Sequence, residues 1–469
     1  MTTQPPLHLR DGSSSSADSP AWRASLAVVL IMALLGRLVV LRFVFTRHPH
    51  DWLFSHPYEM GLLANSLLHG HGFSSPFGVP SGPTALIAPG YPILIAAVFF
   101  LFGSDTFASA IAIILLQILV GLITIALMMR IARQVLDFPT ALLAGVFWAL
   151  SVPVLWIPAI FWETSLSACA LPAIILLALR CRRHPSIASF LLLGASSAIV
   201  ALINPALLPS LLAILAWAAW QTRRVARLAP LAGLLALLLL FSPWPIRNAC
   251  RFHAFIPLRT TAGFELWMGN RPGATGFLDQ SLFPMYDKSE LASYVAKGEV
   301  AYTRDKTTQA LQYIRAHPAI FIRLTLRRIF RFWAGTGSLD GPPVYEFHAL
   351  LTTLLGFAGL VLLYRNRMRA FAVLMALPLL LFPLPYYITH AEFRYRVNLD
   401  PLLTLLAAYA VTQLATQLAA RRSRPTPSTP PPPDSAAPQS PRSQVSSLPQ
   451  PSASAAASAP SPPRRAFPC

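Results

Sequence analysis

Cysteine is scarce in this chain of 469 residues, which contains only four. Cys169 and Cys181 fall on one predicted helix, about 18 Å apart, and that separation is too large for a disulfide. Cys250 and Cys469 add no spacing that matches a zinc site. A disulfide-stabilised secreted domain and a zinc-bound domain are therefore both excluded.

Charge is scarce as well, since charged residues make up 12% of the chain and hydrophobic residues 55%. Many separate apolar runs of about 18 to 22 residues are each long enough to cross a hydrocarbon core of ~30 Å. This composition excludes an ordinary soluble domain. It predicts an all-α polytopic membrane protein with about ten transmembrane helices.

The net charge of +19 does not indicate a nucleic-acid partner, because no basic segment alternates with aromatic residues on a soluble fold. Clusters of arginine instead follow the apolar runs, which is the pattern that sets membrane topology. Arg10 and Arg23 precede the first run and predict a cytoplasmic N-terminus. We expect a multi-pass protein of the cell inner (plasma) membrane, with both termini in the cytoplasm and contacts to membrane lipids.

The alternation of apolar and polar runs divides the chain into five regions. These are a cytoplasmic segment 1–24, a transmembrane module 25–246 that contains the first outer loop 46–104, an extracytoplasmic region 247–343, C-terminal membrane helices 344–420, and a Pro/Ser/Ala-rich disordered cytoplasmic tail 421–469. Within the first outer loop, residues 89–103 are apolar but too short to cross, so we expect a re-entrant helix.

The extracytoplasmic region 247–343 is expected to be small and mainly helical. One helix is predicted from Ser289 to about Arg315, and a second follows Pro318. The second helix carries arginines at four-residue spacing among apolar side chains, which is typical of a helix lying in the membrane interface.

Carboxylates are lacking from the predicted middle of the membrane, and most of the 18 acidic residues fall on outer segments or outer helix ends. A proton-coupled transporter usually carries an ionisable group near mid-membrane, so this distribution disfavours transport. Glu59, in the first outer loop, lies where a carboxylate next to lipid costs solvation energy. The pattern indicates chemistry at the outer face.

Four motif groups occur in order along the chain. They are Glu59 with Ala64-x-x-Leu67, Gly70-His71-Gly72-Phe73, Pro83-Thr84-Ala85 and Pro89-x-Tyr91-Pro92; Pro243-Trp244-x-Ile246-Arg247-Asn248 with Pro257-Leu258-Arg259 and Glu265-Leu266-Trp267-Met268-Gly269-Asn270; Lys297-Gly298-Glu299 with Tyr302; and Tyr386-Tyr387-Ile388-Thr389-His390 with Phe393-Arg394-Tyr395-Arg396. Together they resemble the polyprenyl-phosphate-dependent glycosyltransferases of the GT-C fold, close to the protein O-mannosyltransferase and lipid A aminoarabinose transferase group.

The resemblance implies a GT-C-like helical bundle that transfers a sugar from a polyprenyl-phosphate-linked donor to a lipid, glycan or protein acceptor at the outer face. Much of that family opens the first outer loop with an acidic pair, whereas this chain has His56-Pro57 there. Glu59 is then the candidate catalytic base. Two alternatives stay open: a transporter or flippase for lipid-linked sugars, and an inactive scaffold that keeps the fold.

The other candidate site residues follow from the same motifs. Arg394, Arg396 and Arg247 stand at predicted outer helix ends, and a guanidinium pairs well with phosphate oxygens. With the nearby His390 they are the candidate donor-phosphate ligands. Each also has a purely structural explanation, as a membrane-boundary or helix-end residue. The candidate substrate contacts are Tyr58, Tyr91, Glu265 and Asn270.

No metal or other cofactor follows from the sequence. The first outer loop contains histidines that could hold a divalent metal together with Glu59, but their spacing matches no metal signature. Solvated loop histidines are favoured, and a divalent metal stays open. These histidines are His48, His50, His56, His69 and His71. Arg37, in the first apolar run, is expected to reach the membrane surface or else the donor phosphate.

Overall fold

The computed structural model describes residues 19–47, 59–335 and 343–422. The described residues up to Ala419 belong to one compact unit, and a second unit begins at Ala420. Only the first three residues of that second unit are described. All but the first two residues of the predicted disordered tail, most of the predicted cytoplasmic segment 1–24 and the candidate substrate residue Tyr58 lie outside the described residues.

The described residues form α-helices with short 3-10 turns, and their only β pairing consists of two isolated bridges. The helices are α1 Pro20–Arg47, α2 Glu59–Leu68, α3 Gly90–Phe102, α4 Phe107–Val135, α5 Phe138–Ala149, α6 Val152–Trp156, α7 Thr164–Arg183, α8 Ile187–Ile203, α9 Leu208–Thr222, α10 Ala229–Phe241, α11 Pro243–Phe252, α12 Ala262–Gly269, α13 Lys288–Lys297, α14 Glu299–Ala316, α15 Pro318–Ala334, α16 Pro343–Arg365, α17 Arg369–Leu381, α18 Leu384–Ile388, α19 Phe393–Val397 and α20 Asp400–Arg422.

Eight described segments are long and apolar enough to cross a membrane. They are Pro20–Thr46, Phe107–Val135, Thr164–Arg183, Pro205–Thr222, Ala229–Phe252, Val344–Arg365, Arg369–Ile388 and Asp400–Arg422. The bent pair Phe138–Ala149 and Val152–Ala159 makes a ninth candidate, and α8 is a shorter apolar helix. The predicted class, an all-α polytopic membrane protein, is confirmed.

The predicted crossing at 138–157 is bent, because α5 and α6 meet at an angle of 55°. Ser151, between them, has an extended backbone, and Pro153 stands in the first turn of α6. Proline suits a first helical turn but cannot continue a preceding helix, so the chain starts a new helix here.

Side-chain caps begin several of the long helices. The hydroxyl of Thr106 accepts a hydrogen bond from the amide of Ser109 at the start of α4. Asp137 caps α5 in the same way, through the amide of Thr140. Such caps satisfy amides that have no partner within the helix, typically stabilising it by about 1 kcal/mol.

The helix α3 contains 13 residues, which at ~1.5 Å per residue is too short to cross a bilayer. Its length fits the predicted re-entrant helix. At the start of α3, a Cβ on Gly90 would lie only 2.7 Å from a side-chain carbon of Ile203. The small glycine therefore lets the first loop pack closely against the end of α8.

The prediction of one helix from Ser289 to about Arg315 is wrong in one respect. The structure has two helices, α13 and α14, which are separated at Gly298. Gly298 has a φ of +74°, a conformation that glycine adopts without the steric cost that other residues incur. The break places Glu299 at the start of α14. The following helix, α15, begins at Pro318 as predicted.

Candidate active site

A cavity of about 1160 Å³, including the open space at its mouth, lies where the first loop meets the 259–302 region and the chain around α19. Three carboxylates line it, from Glu59, Glu163 and Glu265, together with two arginines, Arg259 and Arg394. Aromatic side chains make up much of the remaining wall. A large concave site with a few converging charges is the usual form of a ligand-binding site.

Glu59 is the first residue of α2 and is half-buried at the cavity. Burial raises the pKa of its carboxyl above the ordinary value, and the charge of Glu265 raises it further. A backbone hydrogen bond and the nearby Arg394 lower the pKa, but they do not outweigh burial. A carboxylate with a raised pKa is suited to take up a proton in a reaction.

Arg394 is held at the cavity by two contacts. Its Nε donates a hydrogen bond to Glu392 at 2.6 Å, and its guanidinium carbon lies 4.2 Å from the centre of the Trp162 ring. Burial alone would lower the pKa of Arg394, but Glu392, Tyr395 and Glu163 outweigh it and hold the pKa well above the ordinary value. Arg394 is therefore a permanent positive charge in the wall of the cavity.

Glu265 extends from α12 and is 17% exposed at the cavity. One of its oxygens lies 3.6 Å from the guanidinium of Arg259, which also lines the cavity. The other lies 3.6 Å from Nδ1 of His390. Glu265 thus connects the open cavity to a fully buried histidine behind it.

His390 is completely buried, and its ring nitrogens lie near two residues that line the cavity, Glu265 and Tyr395. Its Nε2 lies 2.9 Å from the hydroxyl of Tyr395, which lines the cavity. Burial lowers the pKa of His390 even though Glu265 raises it, so the imidazole is neutral at pH 7. Nε2 of His390 and the Tyr395 hydroxyl form a hydrogen bond whose donor depends on the imidazole tautomer, and this bond orients the tyrosine.

Arg247, a candidate phosphate ligand, does not line the cavity. Its guanidinium donates hydrogen bonds to the backbone oxygens of Thr84 at 2.7 Å and Phe73 at 2.8 Å. It also lies 5.2 Å from the ring centre of Trp244. Arg247 therefore ties the end of the α10–α11 span to the first loop.

Arg396, another candidate phosphate ligand, lies away from the cavity in a buried polar network. Only 3% of the residue is exposed, and it forms a short ion pair with Asp400. It also donates to the backbone of Ala349 at 2.8 Å and to the hydroxyls of Thr352 and Thr353 at 2.7 and 2.9 Å. These contacts join α16, α19 and α20.

Two candidate substrate residues are also buried outside the cavity. Tyr91, which is 1% exposed, packs in the apolar cluster of α3 and α4. Asn270, also 1% exposed, donates to the backbone of Ile388 at 2.7 Å and accepts a hydrogen bond from Arg328 at 3.1 Å. Of the candidate substrate residues within the described ranges, only Glu265 lines the cavity.

Several cavity residues were not singled out by the sequence. Glu163 stands at a helix end between two predicted spans, which marks it as an outer carboxylate but does not link it to Glu59. Tyr386 and Tyr395 both line the cavity and stack with ring centres 4.1 Å apart. Both tyrosines lie in the fourth motif group, and that shared position is the signal that could have identified them.

Glu299 is the principal structural residue that the sequence left without a role. It is 4% exposed, and its oxygens accept hydrogen bonds from the hydroxyls of Thr84, Thr260 and Tyr294. It also accepts one from the backbone amide of Ala85 at 2.7 Å. Glu299 of the third motif group therefore positions Thr84 and Ala85 of the first motif group through hydrogen bonds.

The described ranges contain no group of three or more His, Cys, Asp or Glu side chains that is placed to hold a metal. Nδ1 of His69 lies 2.8 Å from the backbone oxygen of Asn65, and its ring stacks on His71. The other candidate metal histidines, at 48, 50 and 56, lie outside the described residues.

Comparison with known proteins gives a partial match. A search of curated protein sequences finds none that matches the chain. Among solved structures, the oligosaccharyltransferase AglB of Archaeoglobus fulgidus, in complex with an inhibitory peptide and a dolichol-phosphate, is 14% identical with a TM-score of 0.48. That comparison covers 86% of this chain but 52% of the archaeal enzyme, so the chain spans about half of that protein.

A second solved structure is ArnT from Cupriavidus metallidurans bound to undecaprenyl phosphate, which is 14% identical with a TM-score of 0.35. It covers 88% of this chain and 82% of that enzyme. Residues 86–246, less than half of this chain, match the model of the dolichyl-phosphate-mannose-protein mannosyltransferase family. This match confirms, for the region that contains Tyr91 and Glu163, the family resemblance that the sequence motifs indicate.

Proposed function

We propose that the protein is a membrane glycosyltransferase, which transfers a sugar from a polyprenyl-phosphate-linked donor to a lipid, glycan or protein acceptor. The observation that carries the proposal is the shared cavity of Glu59 and Arg394. Displacement of a lipid phosphate from a sugar requires a group that accepts the proton of the acceptor and a cation that stabilises the leaving phosphate. Glu59 and Arg394 provide these two groups beside one cavity.

In the proposed reaction, Glu59 accepts the proton of an acceptor hydroxyl or amine. The acceptor oxygen or nitrogen then forms a bond to the anomeric carbon of the sugar, while the bond from that carbon to the phosphate oxygen breaks. The bonding electrons leave with the lipid phosphate, whose negative charge is stabilised by Arg394 with Arg259 nearby. Electrostatic stabilisation of a leaving group by fixed charges is commonly the largest catalytic contribution.

The remaining cavity residues suit a sugar ring. Glu163 and Glu265 offer carboxylate oxygens that can accept hydrogen bonds from sugar hydroxyls. Trp162, Tyr386 and Tyr395 provide aromatic surface beside them. In this proposal His390 and Arg247 act as positioning residues, and Arg396 and Asn270 stabilise the surrounding structure.

The proposed face of the reaction is the extracytoplasmic face of the cell inner (plasma) membrane, with both chain termini in the cytoplasm. The arginine clusters that follow the apolar runs support this orientation. On α15, the apolar side chains of Ile322, Leu326 and Phe330 are exposed at four-residue spacing. That stripe suits a helix resting on the same membrane face.

Sugar transfer is favoured over the two alternatives by the environment of Glu59. A carboxyl with a raised pKa beside a fixed cation is characteristic of a catalytic site. An inactive scaffold would not need either group at a cavity. Because His56-Pro57 stands where much of the family has an acidic pair, we propose Glu59 as the base.

The experiment is transfer of label from a panel of radiolabelled polyprenyl-phosphate sugars to a membrane extract by the purified protein. Glu59→Gln keeps the shape of the side chain but removes the base, so activity should fall by at least about 100-fold. Glu346→Gln is the matched control, because Glu346 pairs with Arg331 and does not line the cavity.

Two results would count against the proposal in different ways. Full activity of Glu59→Gln would refute the assigned base while leaving the enzyme class intact. Absence of transfer from every donor by the wild type would refute the enzyme class and favour the transporter or the scaffold.

A further inference from the structure

A second cavity, of about 290 Å³ with the space at its mouth, lies among the helices that form the first half of the membrane module. It shares no lining residue with the candidate active site. Its polar lining comes from α1, α4, α5 and α7, through Arg37, Gln117, Thr124, Trp148 and Ser165. No Asp or Glu side chain is among the described residues that line it.

Arg37 is 1% exposed, and its charge is not compensated. Nη1 donates to the backbone oxygen of Ala33 at 3.0 Å, whereas Nε and Nη2 are buried without a hydrogen-bond partner. Within the described parts of the chain, no carboxylate forms an ion pair with it. An isolated charge among membrane helices is costly, so a counter-charge is expected.

Two further donors of the same cavity also lack partners. Nε1 of Trp148 and Oγ of Ser165 are buried without a hydrogen bond to the rest of the described chain. These residues are 2% and 7% exposed. Buried polar groups are normally satisfied, and several unsatisfied donors around one space indicate a bound acceptor.

Gln117 shows that the cavity has an ordered polar wall. Its amide nitrogen donates to the backbone oxygens of Pro158 at 3.2 Å and Ile160 at 2.9 Å. The amide is therefore fixed, and its Oε1 has no partner within the described chain. Oε1 is an acceptor, which suits it to a water beside the ligand.

Gly121 provides the space in which the guanidinium of Arg37 lies. A Cβ at this position would be 3.2 Å from Nε and 3.3 Å from Nη2 of Arg37. These are the two nitrogens that have no partner. The absence of a side chain at Gly121 thus lets the guanidinium of Arg37 pack closely against α4.

We propose that this cavity binds one small monovalent anion of halide size, held by Nε and Nη2 of Arg37 with Trp148 and Ser165 as further donors. The anion neutralises the buried guanidinium and satisfies donors from three helices, α1, α5 and α7. It therefore stabilises the packing of α1, α5 and α7, independently of the candidate active site.

The test is thermal unfolding of the purified protein in detergent, with chloride titrated against gluconate at constant ionic strength. A ligand that binds only the folded state raises the Tm as its concentration increases. The wild-type Tm should rise with chloride until the site is saturated. Arg37→Gln should abolish the rise, and Ser165→Ala should shift its midpoint to higher chloride.

Arg42→Gln is the matched control, because Arg42 is an exposed arginine on the same helix and should leave the chloride response unchanged. A wild-type Tm that does not depend on chloride would overturn the proposal. An equal response in Arg37→Gln would overturn it too, because chloride would then act elsewhere.

A second measurement keeps the test decisive if Arg37→Gln does not fold. Crystals of the wild type soaked in bromide should show an anomalous peak beside Arg37, and Ser165→Ala should weaken it. A bromide-soaked crystal without that peak, or with a lipid headgroup in its place, would rule out a halide site.

Discussion

The backbone amide of Ala85 donates a hydrogen bond at 2.7 Å to Oε1 of Glu299, a residue 214 positions further along the chain. The same carboxylate accepts from the hydroxyls of Thr84 and Tyr294. Arg247 donates to the backbone oxygen of Thr84 from the other side. Three of the four motif groups therefore meet at Glu299, and its partner Tyr294 lines the cavity.

These hydrogen bonds predict that Glu299→Gln destabilises the fold. The variant keeps the size of the side chain, but its amide cannot accept all the hydrogen bonds that the carboxylate does. Loss of a hydrogen bond to a buried charged group typically costs about 1.5–3 kcal/mol. We expect a lower Tm than wild type in thermal unfolding, whereas Glu346→Gln, at an exposed ion pair, should keep the wild-type Tm. Equal Tm values for the two variants would contradict the structural role.

Substitution of Arg394 is expected to reduce activity, whereas substitution of Arg396 is expected to reduce stability. Arg394→Lys keeps the charge but loses the planar fork at the cavity, so kcat/KM for the donor should fall by at least about tenfold with little change in Tm. Arg396→Lys should lower the Tm, because lysine cannot replace the contacts to Ala349, Thr352 and Thr353. Its kcat/KM per folded molecule should stay near the wild-type value. A lower Tm for Arg394→Lys and a lower kcat/KM for Arg396→Lys would contradict the assigned roles.

The difference between these two arginines also shows where sequence reasoning reached its limit. The sequence indicated that both stand near a helix end, and this holds, since both lie in α19. Residues two positions apart on a helix, however, point in directions about 200° apart. Only one of them can face a given cavity. The sequence alone could not decide which one, because that depends on how α19 packs against α16 and α20.

The fold itself was more predictable than the site. Apolar runs of span length predicted the membrane helices, because every backbone group in lipid must be satisfied within the helix. The break at Gly298 was missed because an isolated glycine is compatible with a helix until tertiary contacts favour another conformation. Here the contacts are those of Glu299, whose partners Thr84 and Ala85 are distant in sequence.

Gly194 lies where α8 crosses α10, and we expect it not to tolerate a larger side chain. A Cβ at Gly194 would lie 1.9 Å from the backbone oxygen of Gly233, so the two helices could not keep their present separation. Overpacking of this kind typically costs about 1–3 kcal/mol. We expect Gly194→Ala to lower the Tm, and Gly61→Ala to be tolerated, since a Cβ at Gly61 meets no atom within 4 Å. A wild-type Tm for Gly194→Ala would show that the helices can separate at little cost.

The pH dependence of the reaction should follow the ionisation of Glu59. Burial raises the pKa of this carboxyl above its ordinary value of about 4.3, so it becomes the ionised base only at higher pH. We expect kcat/KM to rise with pH between the ordinary and the raised pKa and then to level off. The residual activity of Glu59→Gln should lack this rise. A wild-type rate that falls over the same interval would contradict the role of base.

Stability should change in the opposite direction over that interval. The folded state holds the Glu59 proton more tightly than the unfolded state does, so wild-type stability should fall as pH rises from the unfolded-state pKa through the folded-state pKa. Gln at position 59 cannot ionise, so the Tm of Glu59→Gln minus that of the wild type should increase as the pH rises. Thermal unfolding of both proteins across a pH series measures this gain. A Tm difference that does not vary with pH would mean that the carboxyl titrates as it does in the unfolded chain, and the catalytic interpretation of its burial would fail with it.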